Sequence, residues 1–151
     1  MSTFIGKYEA KADVKGRVFV PAVYRKLLQA VEKDHVVMRK DTENDCLIIY
    51  PEQVWDAMMV QLKAGLDEWN PDDQMLLMQF VSDAEWIDID AQGRILLSKR
   101  HMQMLGVENS EVLFVGMNDR FAVWGRSRYE QSMKPKEDFA RLLKEKMMNK
   151  G

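Results

Sequence analysis

Cysteine and histidine are scarce in this chain, and long apolar runs are absent. Cys46 stands alone, which excludes an intramolecular disulfide and fits a reducing cytosol. Within "NDCLIIY" it reads as a small buried hydrophobe. One cysteine with the two distant histidines His35 and His101 gives no ligand spacing, so no metal site is expected. No stretch approaches the roughly 18 apolar residues of a membrane span, so no membrane partner is expected. The opening "MSTFIGKYEAKAD" lacks the apolar core of an export signal, which makes a cytoplasmic location the expectation. Neither histidine lies near a serine or cysteine in a nucleophile arrangement, and no glycine-rich loop could cradle phosphates. Both read as incidental residues. An enzyme, a cofactor and a small-molecule substrate are therefore not expected.

Charge is present but unevenly placed. The formal net charge is −2. Residues 1–40 carry nine basic and four acidic side chains, whereas residues 41–92 carry one basic and thirteen acidic. Residues 93–151 return to twelve basic and seven acidic. Two basic thirds flank an acidic middle, and such asymmetry bears on partners. Solvated faces are the plain reading. A polyanion is the sharper one, because each basic third holds a copy, or the flank, of a repeated motif.

That motif is Asp-x-x-Gly-Arg. It appears in "ADVKGRVFVP" from Ala12 and in "IDAQGRILLS" from Ile89. Asp13, Gly16 and Arg17 match Asp90, Gly93 and Arg94 at an offset of 77. "VVM" from Val36 then meets "VLF" from Val112, and "NDCLIIY" from Asn44 meets "NDRFAVW" from Asn118. Even Trp55 has an aromatic counterpart in Tyr129. Landmarks in this order indicate a duplicated module of roughly 45 residues.

Each module reads as two hairpins around a short helix. In the first, "KYEAKAD" and "RVFVP" flank a turn. "AVYRKLLQAVEK" then has Val23, Leu27, Leu28 and Val31 at helical spacing. "HVVMRK" and "CLIIYP" follow, joined by "DTEND". "PEQVWDAMMVQLKAGL" and "NPDDQMLLMQFV" read as a helical pair, acidic outside, and Lys136 to Lys150 reads as a terminal helix. The expected divisions are a first module over 1–55, a helical connector over 56–82, a second module over 83–129 and a C-terminal helix over 130–151. One module this small is marginal alone. Two packed about a pseudo-twofold axis are expected to close a shared β-barrel with flanking helices, a mixed α+β fold.

In a three-residue hairpin loop the last place suits a left-handed glycine. With Val14, Lys15 and Gly16 as loop, Asp13 faces Arg17 across the hairpin mouth. One reading is a turn-closing ion pair, which at an exposed site contributes only about 0–1 kcal/mol. The other is an arginine held in one geometry, its planar fork suited to guanine O6 and N7 or to phosphate. Lys15 adds a cation at the first tip, where Gln92 stands in the second. Residue chemistry alone leaves both readings open. A carboxylate dyad of Asp13 and Asp90 would need unpaired acids, and each has an arginine four residues on.

The two motifs, each followed by a β run, with "CLIIYP" and "GMNDRFAVW" behind them, resemble the MraZ family of bacterial transcriptional regulators. The resemblance runs from Ile5 to about Tyr129 and includes the duplication. It implies two tandem AbrB-like (SpoVT-AbrB) swapped-hairpin modules interleaved into one barrel. It also implies double-stranded DNA upstream of the division and cell-wall gene cluster as partner, usually with repression, and a ring-shaped homo-oligomer. Arginine forks suit guanine and turns repeated round a ring suit direct repeats, so G-containing direct repeats are the expected target and a nucleoid-associated location the expected place. By motif match Arg17 and Arg94 take the DNA-binding positions, with Lys15 and Gln92 beside them. Asp13, Gly16, Asp90 and Gly93 structure the turns. Ser98 stands where the first copy has Pro21, and "SKRHMQML" departs from "PAVYRKLL", which ranks the second motif below the first. The rival expectation is an antitoxin-like or assembly module that clasps a protein partner through "SMKPKEDFARLLKEKMMNKG".

Overall fold

Alternating side chains and turn residues lay down short strands and helices over residues 3–29 and 35–149, the part described by the computed structural model. In chain order these are β1 (Lys7–Lys11), β2 (Arg17–Phe19), α1 (Ala22–Gln29), β3 (His35–Lys40), β4 (Leu47–Tyr50), α2 (Glu52–Ala64) and α3 (Pro71–Ser82). There follow β5 (Ala84–Asp88), β6 (Arg94–Leu96), α4 (Lys99–Leu105), β7 (Glu111–Gly116), β8 (Phe121–Gly125), α5 (Arg126–Ser132) and α6 (Lys136–Met148). The helix expected over 22–33 is seen as far as Gln29, and Val31 lies outside the described residues. Its buried side chains are Tyr24 and Leu28, while Val23 is exposed. Tyr24 wins that place because its hydroxyl donates to Gly6 O at 2.8 Å and its ring packs against Phe4, Tyr8 and Phe121.

The strands form a six-stranded antiparallel sheet in the order β1-β7-β8-β4-β3-β5 and a separate two-stranded ribbon, β2-β6. That order is a palindrome of the two copies. Strand β1 pairs with β7 of the second copy, and β5 pairs with β3 of the first. Equivalent strands meet at the centre: Val18 opposes Ile95 in the ribbon, and Ile48 opposes Ala122 in the sheet. The pseudo-twofold axis passes through both pairs. No ladder among the described residues joins β1 to β5 or the ribbon to the sheet, so hydrogen bonding does not close the expected barrel. The reason lies in the three-residue ribbon strands, which spend their ladder on each other.

Alternation sorts the core into two layers. On one face of the sheet, Leu47, Ile49, Phe114, Phe121 and Val123 pack with Val18, Ile95, Tyr24, Leu28 and Leu105 of the ribbon, α1 and α4. On the other, Ile48, Tyr50, Leu113 and Trp124 pack under α2, α3 and α5 with Trp55, Phe80 and Tyr129. Strands β4 and β8 are buried on both faces, as their continuous apolar runs require. Cys46 sits in the second layer, where burial pushes its thiol up to about 12. The repeat extends into this layer: Tyr50 meets Trp55 edge-on at 5.4 Å, and Trp124 meets Tyr129 edge-on at 5.5 Å. Arg39, buried, stacks on Phe80 at 4.1 Å and donates to Phe80 O, which ties α3 to the sheet.

His101 is not incidental to the fold. Its Nδ1 accepts from the Ser98 backbone N–H at 3.2 Å while Ser98 Oγ accepts from the His101 N–H, a reciprocal cap on α4. Since Nδ1 accepts, Nε2 carries the proton and donates to Glu85 Oε2 at 2.9 Å. Ser98 thus starts α4 by side-chain capping, where Pro21 precedes α1 with its restricted φ.

Candidate nucleic-acid interface

The two Asp-x-x-Gly-Arg turns stand at opposite ends of the β2-β6 ribbon, since Arg17 begins β2 and Arg94 begins the antiparallel β6. In the first, the Gly16 N–H donates to Asp13 O at 3.0 Å and the Asp13 N–H donates to Arg17 O at 2.9 Å. Gly16 has φ +88°, the left-handed value that closes a three-residue loop. Asp13 Oδ1 accepts from the Lys15 and Arg17 N–H groups at 2.9 Å each, and Oδ2 accepts from Arg17 Nε at 2.7 Å. Asp90 repeats the set: Oδ1 takes Gln92 and Arg94 N–H at 2.9 Å, and Oδ2 takes Arg94 Nε at 2.9 Å, with Gly93 at φ +85°.

Each aspartate therefore holds its arginine by Nε. The terminal Nη1 and Nη2 of Arg17 and Arg94 make no hydrogen bond among the described residues. A guanidinium gripped in this way presents its two-nitrogen edge in a fixed plane, the geometry a bidentate contact requires. Both carboxyls lie below their ordinary value of 3.8, first because of the arginine backbone N–H, opposed by desolvation, then because of the guanidinium and the tip N–H. They stay ionised at neutral pH.

Ribbon alternation puts Val18 and Ile95 inward and Arg17, Phe19, Arg94 and Leu96 outward. Phe19 opposes Arg94 and Leu96 opposes Arg17. The surroundings of the two arginines differ. The Arg94 side chain is 20% exposed and stands 5.8 Å from the Phe19 ring centre, whereas Arg17 is 35% exposed. Arg25 reaches the second turn from α1: its Nε donates to Val20 O at 3.1 Å, and its guanidinium occupies the space a side chain on Gly93 would need. The matching position in the second copy is Met102, and beside Gly16 lies the Leu97 backbone instead. Sequence reading missed Arg25, Phe19 and Leu96. Arg25 works across the module boundary, and nothing in a β run distinguishes an outward Phe19 or Leu96.

No helix among the described residues is long and apolar enough to cross a membrane, and no group of three or more His, Cys, Asp or Glu there could hold a metal ion.

Fold and turns together define an internally duplicated α+β protein that carries one loop motif twice on a single ribbon. Each half matches the same family model, described as "MraZ protein, putative antitoxin-like", over residues 3–78 and 80–149. A protein of Bacteroides fragilis named "Transcriptional regulator MraZ" is 43% identical over 97% of this chain and 92% of its own length. One of the same name from Phocaeicola vulgatus is 43% identical over 95% of this chain and 93% of its own. Another, from Moorella thermoacetica, is 34% identical over 97% of each. The chain belongs to the MraZ family.

Proposed function

We propose that the chain is a sequence-specific DNA-binding transcriptional regulator that inserts its ribbon into the major groove. The observation that carries this reading is the pair of guanidinium edges that no described residue hydrogen-bonds, each oriented by an aspartate at Nε and both on the outer face of one ribbon. A major groove admits a two-stranded ribbon, and bidentate arginine contact with guanine O6 and N7 is the commonest specific contact there. Lys15 and Gln92 at the tips, and Arg25 beside the second turn, lie where phosphates would run. The names of the relatives support regulation of transcription, and the resemblance supports repression of the division and cell-wall gene cluster, the chain's own gene included. The exchange of β1 and β5 between the copies is a within-chain form of the swapped-hairpin module.

Assembly belongs to the same reading. Helix α6 buries no residue and exposes Phe139, Leu143 and Met147 at helical spacing, while α3 exposes Met75, Leu76 and Met78. These faces suit a homo-oligomer, head to tail and closed as a ring, with reading ribbons repeated for direct repeats in DNA. A second reading draws on the same faces: an antitoxin-like module would clasp a different protein on α6.

A titration of the DNA upstream of the chain's own gene at graded salt separates the two. The DNA reading expects specific binding that weakens steeply as salt rises. Absence of binding, or a salt-independent affinity, contradicts it and favours the protein partner.

A further inference from the structure

Between the two arginines, the outer face of the ribbon carries two large apolar side chains that the fold leaves more than half exposed. Phe19 is 56% exposed and Leu96 is 55% exposed, on strands whose alternate residues Val18 and Ile95 are fully buried. A solvated ribbon face would ordinarily hold threonine, lysine or glutamate there. Instead the face reads arginine and apolar along each strand, inverted across the pseudo-twofold, so that each apolar residue lies directly opposite the other copy's arginine.

We infer that Phe19 and Leu96 form an apolar reading surface for the 5-methyl groups of thymine, set between the two guanine-reading arginines. The inference rests on the DNA reading above and adds a base to it. In the major groove the thymine methyl is the one apolar mark a base pair displays, and contact with a side chain such as phenylalanine is the way it is read. Asp13 and Asp90 are balanced by their own arginines, which leaves Lys15 at one end of the ribbon and Arg25 at the other as the excess cations, and that fits a polyanion on this face. Residues two apart on a strand are separated by about 6.7 Å, close to two base steps of about 3.4 Å. The recognised thymines therefore fall within about two base pairs of the recognised guanines. Phe19, the broader surface, makes the larger of the two contacts.

The test compares the DNA upstream of the chain's own gene with the same fragment synthesised with deoxyuridine in place of thymidine, which removes only the methyl groups. Wild-type protein is expected to lose about fourfold in affinity for each methyl contacted. A Phe19→Ala, Leu96→Ala variant is expected to bind the thymine fragment more weakly and to show no thymine–uracil difference. Phe19→Leu, which keeps an apolar contact, should retain most of the difference, and thermal melting checks that each variant is folded. Equal wild-type affinity for the two fragments overturns the inference whether or not the double variant folds. So does a double variant that keeps the full difference, or bending of the DNA by Phe19 without a uracil effect, the mark of an inserted wedge. If wild-type protein binds neither fragment, the DNA reading itself has failed.

Discussion

At the Asp13 turn the arginine faces Leu96, the tip carries Lys15, and the glycine rests against the Leu97 backbone. At the Asp90 turn the arginine stands over Phe19, the tip is Gln92, and the glycine lies under Arg25. The hydrogen bonds within the turns are the same. Duplication has thus kept the part that orients an arginine and let its neighbours diverge. The cation missing from the second tip is supplied from α1 of the other module, so each end of the ribbon sets two cationic side chains against one aspartate. The lesson is that charge at a repeated site is a property of the folded pair and not of either copy.

The largest difference should come from the arginines. A bidentate guanine contact is worth about 1–3 kcal/mol, or roughly 5- to 150-fold in affinity, and repetition across the subunits of the proposed ring would multiply it. Arg17→Ala should therefore abolish specific binding in a gel-shift titration while leaving the melting temperature nearly unchanged, because an exposed pair contributes little to stability. Arg94→Ala should weaken binding less, since Arg94 is the more enclosed of the two. Equal losses would erase the ranking of the turns.

The glycines separate the turns by stability. Each has a left-handed φ, so alanine at either costs about 1–2 kcal/mol. At Gly16 the new Cβ also meets the Leu97 carbonyl, on a residue whose N–H donates to Gly16 O and fixes the backbone there, whereas at Gly93 it meets the flexible Arg25 side chain, which can swing away. Gly16→Ala should lower the melting temperature by several degrees more than Gly93→Ala, at about 2–4 °C per kcal/mol for a chain of this size. The reverse order would mean that Arg25 is the rigid element.

Smaller effects belong to the tips. Lys15→Gln should reduce the slope of log affinity against log salt by about 0.9, and Gln92→Lys should increase it by the same amount. Arg25→Ala should reduce it as Lys15→Gln does if Arg25 serves the second end of the ribbon. The smallest effect is that of pH. Because Asp13 and Asp90 are depressed in the folded protein, they contribute stability that is present above their ordinary value of 3.8 and lost as pH falls through the lower folded value. Between about pH 6 and 8 these carboxylates should change neither melting temperature nor affinity. A transition in that window that disappears in Asp13→Asn would contradict the assignment.

Local chemistry made much of the fold legible. The loop chemistry of Asp, Gly and Arg and the apolar runs of β4 and β8 are written within a few residues of each other, where turn and period rules apply. The partners of β1 and β5 are not: the residues of a short edge strand, KYEAK in β1 or AEWID in β5, say nothing about which copy it joins. The barrel was expected because closure removes edges, but with β2 and β6 only three residues long the ribbon pairs with itself. Helix α5 escaped notice because its seven residues carry little pattern; Tyr129 against Trp124 holds it. His101 escaped because capping at that position is ordinarily the work of glutamate or glutamine. Of the proposed interface, the arginines were legible as a repeated motif, whereas Arg25 and Phe19 matter through contacts between modules.

The most direct test of the central claim pairs each arginine edge with the atom it is said to hold. Replacing guanine by 7-deazaguanine in the DNA upstream of the chain's own gene deletes N7, one of the two acceptors, and leaves the phosphates untouched. Affinity measured for wild type and for the Arg17→Ala, Arg94→Ala variant on both DNAs forms a closed cycle. The account predicts that wild type loses affinity on the substituted DNA and that the variant, already weak, loses nothing further. An equal loss in wild type and variant would show that the arginine edges do not read guanine.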